Sequence, residues 1–149
     1  MKIKLIKLKF NDTHSYKYKP FTYCCNKIQN DKAIVFTGED INDIGGEYKD
    51  EGISIPHFCT SHYEDEWEQT DNYPIRFCPH CGEKIGISVV KEIDVSDKYK
   101  ELTKQRDELW KKCQSTDSKK EDYELRKQVR KLDDQIDDFY ELDEWKGEY

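Results

Sequence analysis

A chain of 149 residues with 35% hydrophobic and 38% charged content has room for one domain, or one domain plus an appendage, around a lean core. No run is long and apolar enough for a membrane helix, and a net charge of −7 counts against a general nucleic-acid binder, which would be basic over a whole face. The six cysteines follow an N-terminal stretch that alternates charged and apolar residues and holds no continuous apolar signal core, so the expectation is a cytosolic protein with thiols reduced or metal-bound.

The charge is unevenly spread. Residues 1–30 carry seven Lys against one Asp, residues 31–75 two Lys against twelve acids, and the last eighteen residues one Lys against eight acids. The ordinary reading of the acidic blocks is solvated loops and a solvated helix face. Ile3, Leu5, Leu8 and Phe10 alternate with Lys2, Lys4, Lys7 and Lys9, with a phase slip at Leu5-Ile6, which predicts a lysine-guarded edge strand with a bulge. Asn11 to Pro20 reads as a loop. Its Lys, Tyr16 and Tyr18 have the composition that stacks single-stranded nucleic acid, a weak signal in one such stretch. Phe21 to Cys25 leads into a double cysteine. Ala33 to Thr37 is a short strand, residues 38–52 an acidic loop around Gly45-Gly46, and Ile53 to Phe58 a strand with Cys59 at its end. Glu64 to Glu68 is an acidic loop whose Trp67 is expected to pack beside a metal site, with a partner anchor as the alternative. Tyr73 to Phe77 and Ile85 to Val90 are expected to pair as a hairpin.

The tip of that hairpin carries the strongest signal in the chain, Cys78-Pro79-His80-Cys81-Gly82. Two cysteines two residues apart on a tight turn aim both sulfurs at one point. Pro79 presets the turn, and Gly82 lets the backbone fold back beneath the sulfurs. Paired thiolates in a cytosolic protein favour Zn²⁺, and the β-favouring run after Gly82 argues against a redox motif opening a helix. A structural zinc takes four ligands, so two more must come from upstream, among Cys24, Cys25, Cys59, His57, His62 and His14. Cys59 plus one of Cys24 and Cys25 is the first choice, because neighbours in an extended chain face opposite ways. The histidines read as ordinary polar residues once four thiolates serve the metal.

Tyr23-Cys24-Cys25 together with Ile75-Arg76-Phe77-Cys78-Pro79-His80-Cys81-Gly82-Glu83-Lys84-Ile85 resembles the small zinc-ribbon proteins of bacteriophages and prophages, which pair an early double cysteine with a late C-P-x-C-G knuckle. The resemblance spans residues 21–87 and implies a zinc-ribbon-like site. It is unspecific for function, and the wide spacing between the cysteine groups departs from a compact ribbon. The richness in Lys, Asn, Ile, Tyr and acids suits an AT-rich phage or bacterial genome.

From Asp94 the pattern turns helical. Asp94 or Ser96 caps a helix to about Cys113, with Tyr99, Leu102, Arg106, Leu109 and Cys113 at alternating spacings of three and four and Trp110 flanking. Ser118 to Glu121 is a capping box opening a second helix whose Leu125, Val129, Leu132, Ile136 and Phe139 continue the seam to a stop at Gly147. A short break between amphipathic helices means an antiparallel hairpin. The second helix is read as the longer, with an overhang of roughly 15 Å at 1.5 Å per residue. That overhang mixes acids with Phe139, Tyr140 and Trp145, which pack on the chain's own domain, pair with a second copy or meet a partner. Cys113 belongs to the seam.

The sequence therefore predicts an α+β chain. Residues 1–93 form a small antiparallel zinc-ribbon-like β-domain with Zn²⁺ on Cys78 and Cys81 and on ligands drawn from Cys24, Cys25 and Cys59, and residues 94–149 form an antiparallel helical hairpin of coiled-coil type. No catalytic serine motif or phosphate-binding glycine loop is present, so a non-enzymatic module is expected. It would be phage-encoded and homodimeric, act in the host cytoplasm, and bind a host protein such as a defence or transcription factor through the hairpin and its acidic aromatic end. The alternatives are a nucleic-acid-binding zinc-ribbon regulator, resting on Lys2 to Lys19, and a zinc-dependent nuclease using His57, His62 or His80.

Overall fold

A computed structural model describes residues 1–40, 54–60 and 73–147. The expected glycine loop at Gly45-Gly46, His62 and Trp67 lie outside the described residues. In order, the elements are β1 (Lys2–Phe10), β2 (Thr13–Tyr18), α1 (Asn26–Asn30), β3 (Ile34–Asp40), β4 (Ser54–Thr60), β5 (Tyr73–Pro74), β6 (Gly86–Asp94), α2 (Ser96–Ser115) and α3 (Lys119–Asp137). They form a mixed α+β fold with two three-stranded sheets, ordered β2-β1-β6 and β3-β4-β5, followed by two helices in contact. No described helix is long and apolar enough to cross a membrane.

Strand β1 is central because it buries opposite faces at its two ends. Ile3 and Leu5 join a core with Ile28, Phe58, Cys78 and Ile85. Ile6, Leu8 and Phe10 point the other way, into a core with Val95, Leu102, Ile136 and Phe139. Successive side chains of a strand alternate faces, so an apolar pair at Leu5-Ile6 is what such an exchange requires. The slip seen in the sequence has this origin. β1 pairs with β2 in unbroken register from Leu5↔Tyr18 to Phe10↔Thr13, and the irregularity lies on β6, where Leu5 pairs with Val89 and Ile6 with Lys91.

β1, expected at a sheet edge, instead lies between β2 and β6, and three further expectations change. First, β1 and β6 run parallel, so the sheets are not wholly antiparallel. The knuckle's flanks are not a simple hairpin: β5 pairs with β4, β6 pairs with β1, and only the bridge Phe77↔Lys84 joins the two arms directly. The knuckle thus lies at the crossing from one sheet to the other. Second, residues 13–18 of the expected loop form β2. The hairpin turns at Asn11 and Asp12, with Asn11 in the left-handed region (φ 54°), which asparagine tolerates. Tyr18 stacks on Phe21 (4.6 Å between centroids) and belongs to the core.

Third, the helices match in length, 20 and 19 residues, so there is no overhang. Contacts run Trp110 to Arg126, Arg106 to Asp133 and Tyr99 to Tyr140, which makes the pair antiparallel. Ser118 caps α3 by accepting from the Glu121 N–H, as the sequence predicts. After Asp137 the chain turns back onto the sheet. Tyr18 N donates to Asp143 O (2.9 Å), Trp145 N donates to Tyr18 O (2.8 Å), and Glu144 bridges to Tyr18 in parallel sense. Phe139 is fully buried, and Ser15 donates to its carbonyl. The buried Lys17 donates to the Asp138 carbonyl and pairs with Asp143 Oδ1 at 2.5 Å. Burying an ammonium requires such partners. The acidic aromatic end therefore packs on the chain's own sheet, with two of its acids serving Lys17.

This packing predicts that Phe139→Ala, which empties a fully buried site, lowers unfolding free energy by about 3–5 kcal/mol in urea titration. A loss below about 1 kcal/mol would contradict the closure of the second core by the C-terminal segment.

Candidate metal centre

The cysteine group is built from two short segments. Leaving Thr22, which bridges to Lys2 of β1, the chain bends at Cys24 and Cys25 and enters α1. The second segment is the knuckle. Cys78 N donates to Glu83 O and Gly82 N to Cys78 O, both at 2.8 Å, and Gly82 takes φ 74°, a left-handed conformation natural to glycine. Ile85 N donates to Arg76 O (2.8 Å), closing the loop at its base.

These turns place one Sγ each from Cys24, Cys25, Cys78 and Cys81 within 4.8 Å of one another, within range of a single metal ion. Cys25 Sγ lies 3.7 Å from Cys78 Sγ, and Cys24 Sγ lies 3.5 Å from Cys81 Sγ. None of the six cysteines is in a disulfide. Cys78 is buried, Cys24 and Cys25 are half-buried, and Cys81 is exposed, so the group sits at the surface with one edge open.

Both members of the adjacent pair take part. The expectation that only one could do so assumed a strand running on through both residues; Cys25 itself keeps extended dihedrals (φ −157°, ψ 159°), but the chain bends here as it enters α1. Cys59, expected as a ligand, lies outside the four-sulfur group. It is fully buried in the second sheet, paired in register with Val35 on one side and Pro74 on the other. His57 is on the same strand and His14 is on β2, where its ring meets the Tyr16 hydroxyl at 3.2 Å. Neither joins the sulfurs. His80 turns away from them to Asp31 (Nε2 to Oδ2, 2.9 Å), linking the knuckle to the segment after α1. The Asp31 carboxyl is held below its usual range by the Ala33 N–H and by His80.

Crowding splits the thiols electrostatically. Burial pushes Cys24 up to about 12, aided by its contacts with Cys81 and Cys78. Burial also opposes ionisation of Cys78. The backbone N–H groups of Cys81 and His80 and the thiols of Cys81 and Cys24 outweigh it and bring Cys78 down to about 6. For Cys81 the Glu83 N–H and Cys24 pull downward, yet Cys78, burial and Cys25 together push it up. Cys78 is thus the thiol most readily ionised of these three, and a cation among the sulfurs would favour the thiolate form of its ligands.

A second group, absent from the sequence expectations, brings the carboxylates of Asp138, Glu141 and Asp143 within 4.8 Å of one another. The Lys17 ammonium already sits on Asp143 and at 3.5 Å from Asp138 Oδ1, so two of the three carboxylates are engaged by a cation from within the fold. In the sequence the three acids stand out only as part of the acidic C-terminal block, and Lys17 falls in the expected loop Asn11 to Pro20.

No protein-family model, curated protein or solved structure matches this chain.

The ligand set is separable by mutation. Cys59→Ser should retain the bound metal of the parent protein, whereas Cys25→Ser and Cys78→Ser should each lose it, read as metal per chain by elemental analysis after gel filtration. Loss on Cys59→Ser with retention on Cys25→Ser would restore the ligand set favoured by the sequence.

Proposed function

We propose that the chain is a non-enzymatic binding module fastened by one Zn²⁺ on Cys24, Cys25, Cys78 and Cys81. The observation that carries this is the sulfur geometry. Tetrahedral zinc with Zn–S near 2.3 Å implies sulfur–sulfur edges of about 3.8 Å. The observed pairs at 3.7 and 3.5 Å need only a slight expansion to meet that figure. Four thiolates also select zinc over harder cations that prefer oxygen. They fill the coordination sphere and leave no position for water or substrate, which supports a structural role over the nuclease alternative. In a reducing cytoplasm such a site stays metallated where disulfides would not persist.

The zinc-ribbon kinship and a phage origin rest on the cysteine pattern and on composition. For the partner, the hairpin remains the favoured surface, but not at its acidic aromatic end, where Phe139 and Lys17 are occupied within the fold. The opposite end of the hairpin presents Trp110, with Arg126 over its ring at 5.5 Å, and the exposed Tyr123. Exposed Trp, Tyr and Arg are the residue types that dominate protein interfaces. A second copy of the chain or a host protein is the occupant consistent with the module reading.

Native mass spectrometry before and after chelation should find one zinc per chain, and a folded mass that broadens to higher charge states once the metal is stripped. A chain without metal, or one whose charge-state distribution is unchanged by stripping, would refute the zinc-fastened module. The same spectra report self-association: a dimer weakened by Trp110→Ala with Tyr123→Ala would assign the outer hairpin end to the second copy, and one indifferent to those changes would remove it.

A further inference from the structure

Beside the cysteine group lies a cleft of about 650 Å³ whose rim is formed by β1, the segment after β2 and the knuckle. Lys2, Lys4 and Lys19 line it, together with Thr22, Tyr23 and Cys24. The lysines converge for a backbone reason. Lys2 and Lys4 are alternate residues of β1 and share a face. The chain beyond β2 continues alongside β1, with Lys19 N donating to Lys4 O at 2.9 Å and Thr22 bridging to Lys2. Three ammonium groups are therefore held on two adjacent backbone segments. All three side chains are exposed, and none is in an ion pair among the described residues. Like charges on neighbouring strands repel. The one acid on the rim, Glu83, is occupied by the terminal ammonium of Met1. The basic character predicted for residues 1–30 is thus concentrated here, while Lys17 is neutralised inside the fold and Lys9 pairs with Glu92.

We infer that this cleft binds the backbone of a single-stranded nucleic acid, with Lys2, Lys4 and Lys19 on successive phosphates and Tyr23 on the wall beside a base. A concave basic groove with an aromatic side chain is the arrangement that tracks a single strand. The volume is that of a small-molecule pocket and admits a few nucleotides of one strand, not a duplex. A flat anionic membrane does not fit a concave site. This site goes beyond the zinc-fastened module and rests on it only because the Cys24 sulfur anchors the Thr22–Cys24 wall.

The test is fluorescence anisotropy of the full chain with labelled oligo(dT) and oligo(U) of about twelve nucleotides. Three phosphate contacts predict a slope of log K against log salt of about −2, that is, a roughly fifteenfold weakening from about 50 to about 200 mM salt. Lys2→Gln with Lys4→Gln and Lys19→Gln should weaken binding at least about tenfold and flatten the slope, and Lys19→Gln alone should reduce the slope by about 0.7. A charge-matched control on the helices, Lys104→Gln with Lys120→Gln and Lys127→Gln, should leave both unchanged. No binding by the parent protein, equal loss in the control, or binding only to phosphatidylserine vesicles would overturn the assignment. Zinc content measured on the same samples separates the two claims: a fully metallated chain that ignores the oligonucleotides removes the cleft and leaves the metal centre standing.

Discussion

Four sulfurs from two turns, 53 to 57 residues apart in the closest pairs, have to meet at one point, and the rest of the β-structure is arranged around that requirement. Closing so long a loop costs conformational entropy that grows only slowly with length, so one metal can hold distant segments for little more than near ones. The surroundings treat the thiols unequally. Burial drives Cys24 up, while the knuckle's N–H groups pull Cys78 down. The four sulfurs lie within range of a single metal ion, and a metal bound there would couple its binding to folding. The knuckle also sits where the chain passes from β5 in one sheet to β6 in the other, so fixing it fixes the relation of both sheets to β1.

β1 is the second organising feature. A lean, highly charged chain cannot fill one large core, and this one builds two small ones on opposite faces of a single strand. The cysteine side is filled with aromatics: Phe21, Phe36 and Phe58 meet at centroid distances of 5.0 to 5.4 Å. The helix side is closed by Phe10, Tyr99 and Phe139, with Phe10 and Tyr99 rings 4.9 Å apart. Because Ile6, Leu8 and Phe10 share a core with the helices, residues before and after position 94 are joined through β1 by direct side-chain packing.

The legible parts of the sequence were those encoded locally. The knuckle turn follows from Cys-Pro-His-Cys-Gly, the α3 start from Ser118 and Glu121, and the helical seam from spacings of three and four, including buried Cys113. What was misread depends on long-range pairing. A parallel β1–β6 ladder has no short-range signature, since its partners are more than eighty residues apart. The Leu5-Ile6 pair looks the same whether a strand bulges or exchanges buried faces, and only the register with β2 tells them apart. Cys24 and Cys25 were judged by strand geometry, but α1 is only five residues long and carries too little periodicity to announce the bend before it. Lys17 reads as part of a basic aromatic loop and the acids after Asp137 as a solvated helix face, and their pairing exists only because β2 receives the returning chain.

The most direct test of the central claim is zinc K-edge X-ray absorption on the purified, metal-replete protein. The account predicts a first shell of four sulfurs at about 2.3 Å with no nitrogen or oxygen component. A shell mixing sulfur with nitrogen or oxygen would mean that a histidine, a carboxylate or water has taken the place of one of Cys24, Cys25, Cys78 and Cys81. That result would contradict the closed four-thiolate centre on which the binding-module reading stands.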